Sequence, residues 1–166
     1  NGDIMATYRK MHLFDVSVQG KTITESNRFM AGTQPEIVTI NGWKIGLSIC
    51  YDLRFPELYR WYFKKQVDAV VVPSSFTYST GEKHWHVLCR ARAIENQCYV
   101  LAPNQCGLGA AQTQTYGHSL VADPLGSVVA EANDTDETVI QATLDVKVLD
   151  ATREAMPVLS HCKMGI

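Results

Sequence analysis

The sequence predicts a single α/β domain, on three observations. Apolar, β-branched runs of strand length alternate with stretches of helical periodicity along the chain. One of them, Ala69-Val70-Val71-Val72-Pro73, is continuous, the pattern of a strand covered on both faces. No linker or internal repeat interrupts the 166 residues, a length that buries a sizeable core without staples.

Thr7 to Phe14 reads as a short strand or loop carrying basic residues, and Asp15 to Gly32 as a polar connection containing Gly20, Glu25 and Asn27. Ile37–Ile40 and Lys44–Cys50 flank Asn41-Gly42-Trp43, and Asn-Gly between two β-branched runs is a strong hairpin signal. Arg54-Phe55-Pro56-Glu57 opens a helix, with Pro56 suited to its first turn and Glu57 to the positive end of its dipole. That helix runs to about Gln66. After the strand at Ala69, a polar loop from Ser74 to Gly81 leads to a second helix, Glu82 to Asn96. Its apolar residues Trp85, Leu88, Cys89 and Ala93 share one face. Cys98–Ala102 and Tyr116–Ala122 are further strands, and Asp123-Pro124-Leu125-Gly126 is a turn. Ser127–Ala130 and Thr138–Leu144 are expected to close the sheet as an antiparallel pair, before a final helix over Val146–Ala155.

Composition narrows the function. Fifteen basic and 17 acidic residues leave a formal charge of −2, so neither nucleic acid nor an anionic membrane is an expected partner. Charged residues make up 19% of the chain, against roughly 25% in ordinary domains, which points to much buried surface, an oligomer interface included. The longest stretch free of charge, Asn96–Ala122, holds Pro103, Asn104 and four glutamines and cannot span a bilayer. Five cysteines with no CxxC pair fit neither a disulfide framework nor a zinc ribbon, and free thiols suit a reducing cytoplasm. His84 and His86 diverge on a helix, so no zinc site is expected from them and Cys89. No signal peptide is expected either, and the start at Asn1 reads as a chain cut from something longer.

Cys50 is the best nucleophile candidate. It ends an apolar strand just before a helix start, where backbone N–H groups can hold an oxyanion and a positive environment lowers a thiol pKa. From position alone, a buried, inert cysteine is the commoner state of such a residue. Its surroundings shift the balance. Tyr8-Arg9-Lys10-Met11-His12-Leu13-Phe14-Asp15 and Gly46-Leu47-Ser48-Ile49-Cys50-Tyr51-Asp52-Leu53-Arg54-Phe55-Pro56-Glu57 together resemble the carbon–nitrogen hydrolase family, the nitrilase superfamily. The resemblance continues through His84-Trp85, Arg90–Asn96, Tyr116-Gly117-His118-Ser119 and Asp123-Pro124-Leu125-Gly126, covering nearly the whole chain in order.

The resemblance implies that the α/β domain is part of a four-layer α-β-β-α sandwich. It implies a cysteine-dependent hydrolase of amides or nitriles, with Cys50 as nucleophile and Lys10 as catalytic lysine. Glu25 matches a second glutamate that positions and charges the lysine, and the Tyr51 peptide N–H would be the second oxyanion donor. Ser74, Ser75 and Phe76, beyond a strand end, form an expected pocket wall. No metal or organic cofactor is implied. His118 is expected to be a hydrogen-bonded core histidine, and Arg92 and Glu95 to pair internally.

Two departures stand out. The family's first glutamate, the general base, belongs upstream of the lysine motif, where this chain has only nine residues and the single carboxylate Asp3. Residues 1–166 are therefore expected to be the C-terminal portion of the domain, the remainder lying on a complementing chain or lost by truncation. Relatives also commonly carry Trp-Glu where this chain has Trp85-His86. Arg90–Val100 and Asn104-Gln105-Cys106-Gly107 most resemble the branch containing deaminated glutathione amidase and ω-amidase, which implies a terminal amide of a small 2-oxo acid as substrate. A homo-oligomer is expected, with Leu58–Phe63 serving as interface or core. The opposing expectation is a catalytically incomplete fragment acting as a structural or interaction subunit.

Overall fold

The computed structural model describes residues 2–18, 21–109 and 113–164. Gly20 and the centre of the loop between Leu108 and Thr115 lie outside them. Its core is a six-stranded sheet. The strands are β3 (Glu36–Ile40), β4 (Trp43–Leu47), β5 (Ala69–Val71), β6 (Tyr99–Ala102), β9 (Leu120–Ala122) and β10 (Val128–Glu131), in the order β10-β9-β6-β5-β4-β3. Parallel pairing of β4, β5 and β6 requires crossovers, which α1 (Pro56–Lys64) and α2 (Tyr78–Asn96) supply. Two small hairpins, β1 (Asp15–Val18) with β2 (Lys21–Thr24) and β7 (Cys106–Leu108) with β8 (Gln114–Tyr116), stand apart from the sheet.

Alternation along β5 and β6 sorts the core between two faces. Val70 and Val100 join Leu58, Tyr59, Tyr62, Trp85, Cys89 and Ala93 beneath α1 and α2. Their neighbours Ala69 and Tyr99 join Leu149 of α3 (Val146–Ala155) in a second cluster. The central strand is thus covered on both sides, as its unbroken apolar run requires. Leu58, Tyr59, Tyr62 and Phe63 are buried within this chain, so the aromatic run of α1 is mainly core. Between β3 and β4, Asn41 and Gly42 both take positive φ, 50° and 86°, the conformation of a tight type I′ turn.

Several boundaries differ from expectation. Residues 7–14 form no ladder; the segment bends at Met11 and His12 and is held by hydrogen bonds to other elements. The expected polar connection contains β1, β2 and a 3₁₀ turn at Glu25–Asn27. α2 begins at Tyr78, because Gly81 is an internal helix position: a Cβ there would strike the ring of Tyr116. The expected strand Tyr116–Ala122 is broken in two, with Gly117 and His118 at φ 66° and 53° turning the corner. Thr138–Leu144 is not a strand. Its alternation finds no partner among the described residues; Val139 is 86% exposed, and only Leu144 reaches the second core cluster. A short helix, α4 (Val158–His161), follows α3. Among the described residues, no helix is long and apolar enough to cross a membrane.

Candidate active site

Beyond the carboxyl ends of β4, β5 and β6 lies a cleft of about 1070 Å³. Lys10, Glu25, Cys50, Tyr51, Ser74, Ser75 and Phe76 all line it, so residues far apart in sequence converge on one space. Cys50 opens a 3₁₀ turn, Cys50–Arg54, immediately after β4, and its φ of 49° places it in the left-handed region, costly for a residue with a Cβ. The turn is held from several directions. The Cys50 N–H donates to the Pro73 carbonyl at 3.0 Å, tying it to the end of β5. From the helix side, Arg92 donates through Nε and Nη2 to the Leu53 carbonyl at 3.1 and 2.8 Å. Arg92 also pairs with Glu95 at 2.8 Å, the internal pairing expected of both.

Asp52 ties the turn to the lysine segment. Its side chain is fully buried, and Oδ2 accepts from Tyr8 Oη at 2.8 Å and from the Ile49 N–H at 2.9 Å. Oδ1 accepts from the His12 N–H at 3.0 Å and contacts His12 Nδ1 at 2.8 Å, while the His12 ring stacks on Phe55 with centroids 3.7 Å apart. Residues 8 to 12 are thereby fastened across the cysteine turn. Lys10 itself is clipped from the other side, where its carbonyl accepts the Gly32 N–H at 2.8 Å; a side chain at Gly32 would collide with the Arg9 carbonyl.

The Lys10 ammonium, only 11% exposed, meets Glu25 Oε2 at 2.6 Å. The same oxygen accepts the Phe14 N–H at 2.7 Å, so the carboxylate is itself oriented. Ser75 bears on the cysteine through its backbone, and Ser74 is tied down by bonds to Val72 and Pro103. Phe76 donates its N–H to Asn104 Oδ1 at 3.0 Å, and Asn104 Nδ2 donates to the Gly117 carbonyl at 2.6 Å, which stiffens the far wall.

The charge state of Cys50 differs from the expectation of an acidified thiol. Burial pushes it above the ordinary thiol range, outweighing the Ser75 backbone bond and the Lys10 charge, while Glu25 and Asp52 push the same way as burial.

Three residues of the cleft region were not singled out from sequence: Asp52, Asn104 and Arg54. Asp52 had a readable signal, since an Asp two residues after the end of a strand run is suited to accept backbone N–H bonds in a turn. Asn104 follows Pro103 at a strand end, a weaker cue. Arg54 lies half-buried in the cleft, its guanidinium over the Phe76 ring at 5.2 Å and 3.1 Å from His84 Nδ1; burial lowers its pKa. It takes part in no ion pair among the described residues. Lys10, Arg28 and Arg54 against Glu25 give the cleft lining an excess of basic groups.

The histidines fall out differently. His84 turns to Arg54, His86 to Glu131 and Cys89 into the core, so those three do not converge. His118 is not a core residue: its side chain is 26% exposed and contacts Glu131.

Comparison with known proteins identifies the family of the chain. The sequence model of the family described as carbon-nitrogen hydrolase matches residues 1–154. The chain is 44% identical over 164 residues to the deaminated glutathione amidase of Synechocystis, covering 97% of this chain and 60% of that protein. It is 46% identical over 164 residues to the nitrilase and fragile histidine triad fusion protein NitFhit of Caenorhabditis elegans, covering 97% of this chain and 37% of that one. The crystal structure of Nit3 from Saccharomyces cerevisiae, a member of branch 10 of the nitrilase superfamily, superposes with a TM-score of 0.84 at 38% identity, covering 95% of this chain and 54% of that one. This chain thus spans between 37% and 60% of the length of these proteins. By the family match across residues 1–154 and the shared fold, the chain belongs to the carbon–nitrogen hydrolase family of the nitrilase superfamily.

Proposed function

We propose that the chain provides the nucleophile half of an amide hydrolase acting on a terminal amide of a small 2-oxo acid. The observation that carries this reading is the convergence of Cys50, Lys10 and Glu25 in one cleft, with Lys10 anchored to Glu25 at 2.6 Å. Cys50 Sγ attacks the amide carbonyl, and the tetrahedral oxyanion is met by the Lys10 ammonium and the Tyr51 N–H. Collapse expels ammonia, which takes up the proton from the thiol, and leaves a thioester on Cys50. Water then cleaves the thioester, releasing the acid and restoring the thiol. Glu25 holds Lys10 in place and aimed. The substrate carboxylate is assigned to Arg54, the half-buried guanidinium of the cleft; Arg28, the other arginine lining it, is exposed.

The raised thiol gives this reading a requirement. Proton removal from a neutral thiol calls for a general base. Residues 1–166 supply the C-terminal portion of the domain in this reading, and the base glutamate lies in the remaining portion, on the same or a complementing polypeptide. The acting form is a homo-oligomer in the cytoplasm.

Incubation of the full-length protein with a 2-oxo acid amide is expected to release ammonia and leave an acyl mass on the Cys50 peptide, both lost in Cys50→Ala. Absence of ammonia and of the adduct overturns the reading. The same raised thiol favours a second reading, an incomplete fragment with a structural role. Iodoacetamide at mildly acidic pH separates the two: selective labelling of Cys50 over Cys89, Cys98, Cys106 and Cys162 in the full-length protein marks an activated site. Uniform labelling, or absent labelling together with absent ammonia release, marks the fragment.

A further inference from the structure

Away from the cysteine cleft, two imidazoles and a carboxylate converge on one point. His86 Nε2 and His118 Nδ1 both lie 2.8 Å from Glu131 Oε1, and the three candidate ligand atoms fall within 4.8 Å of one another. None of the three residues lines the cleft. We propose that His86, His118 and Glu131 form a binding site for a divalent transition-metal ion of the zinc class, bracing α2 against β10.

The donor set suits such an ion. Two imidazole nitrogens and one carboxylate oxygen are a recurrent three-ligand zinc set, leaving one position for water. Tetrahedral coordination at about 2.0–2.2 Å per ligand separates neighbouring ligand atoms by roughly 3.3 Å, so the present 2.8 Å contacts need open only about half an ångström. The ligands come from three elements distant in sequence, the helix α2, the corner after β8 and the strand β10.

The site is also preorganised. His86 is fixed by the helix on which it sits. The His118 backbone is held by Trp85 Nε1, which donates to its carbonyl at 2.7 Å, and by its own N–H, which donates to the Asn133 carbonyl at 3.1 Å. Gly117 beside it has no room for a side chain, since a Cβ would lie 2.6 Å from the Asp134 Cα. The Tyr116 ring packs against both imidazoles, at centroid distances of 6.0 Å from His86 and 4.5 Å from His118, and limits their rotation. Glu131, the most exposed of the three at 36%, is the ligand free to adjust. Glu82, one helical turn before His86, adds negative potential on the same face.

The inference does not rest on the hydrolase reading. The test strips the purified protein of metal with chelator and titrates it with cobalt(II), then with zinc, in wild type and in His86→Gln, His118→Gln, Glu131→Gln and Cys50→Ser. One equivalent of cobalt is expected to give a tetrahedral visible spectrum that zinc displaces. Affinity should fall at least about tenfold in each of the first three variants and stay unchanged in Cys50→Ser. A second measurement needs no variant: zinc should protect His86 and His118 of the wild-type protein from diethyl pyrocarbonate, while His161 stays reactive. Absence of a stoichiometric site overturns the proposal. So does binding lost in Cys50→Ser but kept in the histidine variants, or unchanged labelling of His86 and His118 at saturating zinc.

Discussion

Asp52 organises the candidate site without lining it. Its carboxyl oxygens receive the Tyr8 hydroxyl and the Ile49 and His12 N–H groups, and one of them contacts the His12 ring. Asp52→Asn keeps the shape but turns an NH₂ group toward donors, leaving buried groups unsatisfied. It is expected to lower unfolding free energy by about 3 kcal/mol, read by urea denaturation. Under the proposed mechanism Lys10 is the complementary case, a residue whose removal is expected to harm chemistry more than folding. Lys10→Met should cut kcat for ammonia release roughly 10²–10³-fold, the cost of one oxyanion donor, with little change in urea midpoint. A loss confined to KM would remove Lys10 from the oxyanion role.

At the scale of elements, close approach of backbones decides the architecture. α2 lies against β8 because Gly81 presents no side chain to the Tyr116 ring. Gly81→Ala forces the helix and the ring apart, and overpacking of this kind costs about 1–3 kcal/mol. Loss of thermal stability with unchanged helix content by circular dichroism is the expected outcome; a variant as stable as wild type would show that Tyr116 can move aside freely. The same contact explains why the start of α2 escaped pattern reading. Glycine before a periodic run reads as loop, and its value inside the helix appears only once Tyr116 is placed opposite. Thr138–Leu144 shows the converse. Alternation announced a strand, but a strand needs a partner edge, and none of the described residues offers one.

Across the whole molecule, buried thiols and phenols set the response to base. Burial pushes Cys98 up to about 12 and also raises Cys89, Tyr59 and Tyr62. Above the ordinary thiol pKa of 9.0, the unfolded chain loses these thiol protons while the folded chain keeps them. Unfolding then releases protons, so stability falls as pH rises, by about 1.4 kcal/mol per pH unit for each such thiol. The thiol contribution is complete below pH 9 and is lost progressively toward pH 12 for Cys98. Urea midpoints measured from pH 8 to pH 11 should decline, and Cys98→Ala should flatten the slope. A slope unchanged in that variant would assign the decline to the tyrosines.

The sequence by itself determined the α/β class, the β3–β4 hairpin, both crossover helices and the doubly covered β5, because each rests on local periodicity or turn chemistry. It also put forward Cys50 and Lys10 as site candidates through two long motifs, and Glu25 through its place between them. What the tertiary structure alone decided depends on contacts between segments distant along the chain. Asp52 became the hub of the lysine segment only when residue 12 was brought beside residue 52. Cys50 became a raised thiol because burial, a property of the whole fold, outweighs the nearby ammonium. His118 left the core for Glu131 because Gly117 and His118 both turn through positive φ, a corner that strand periodicity does not disclose.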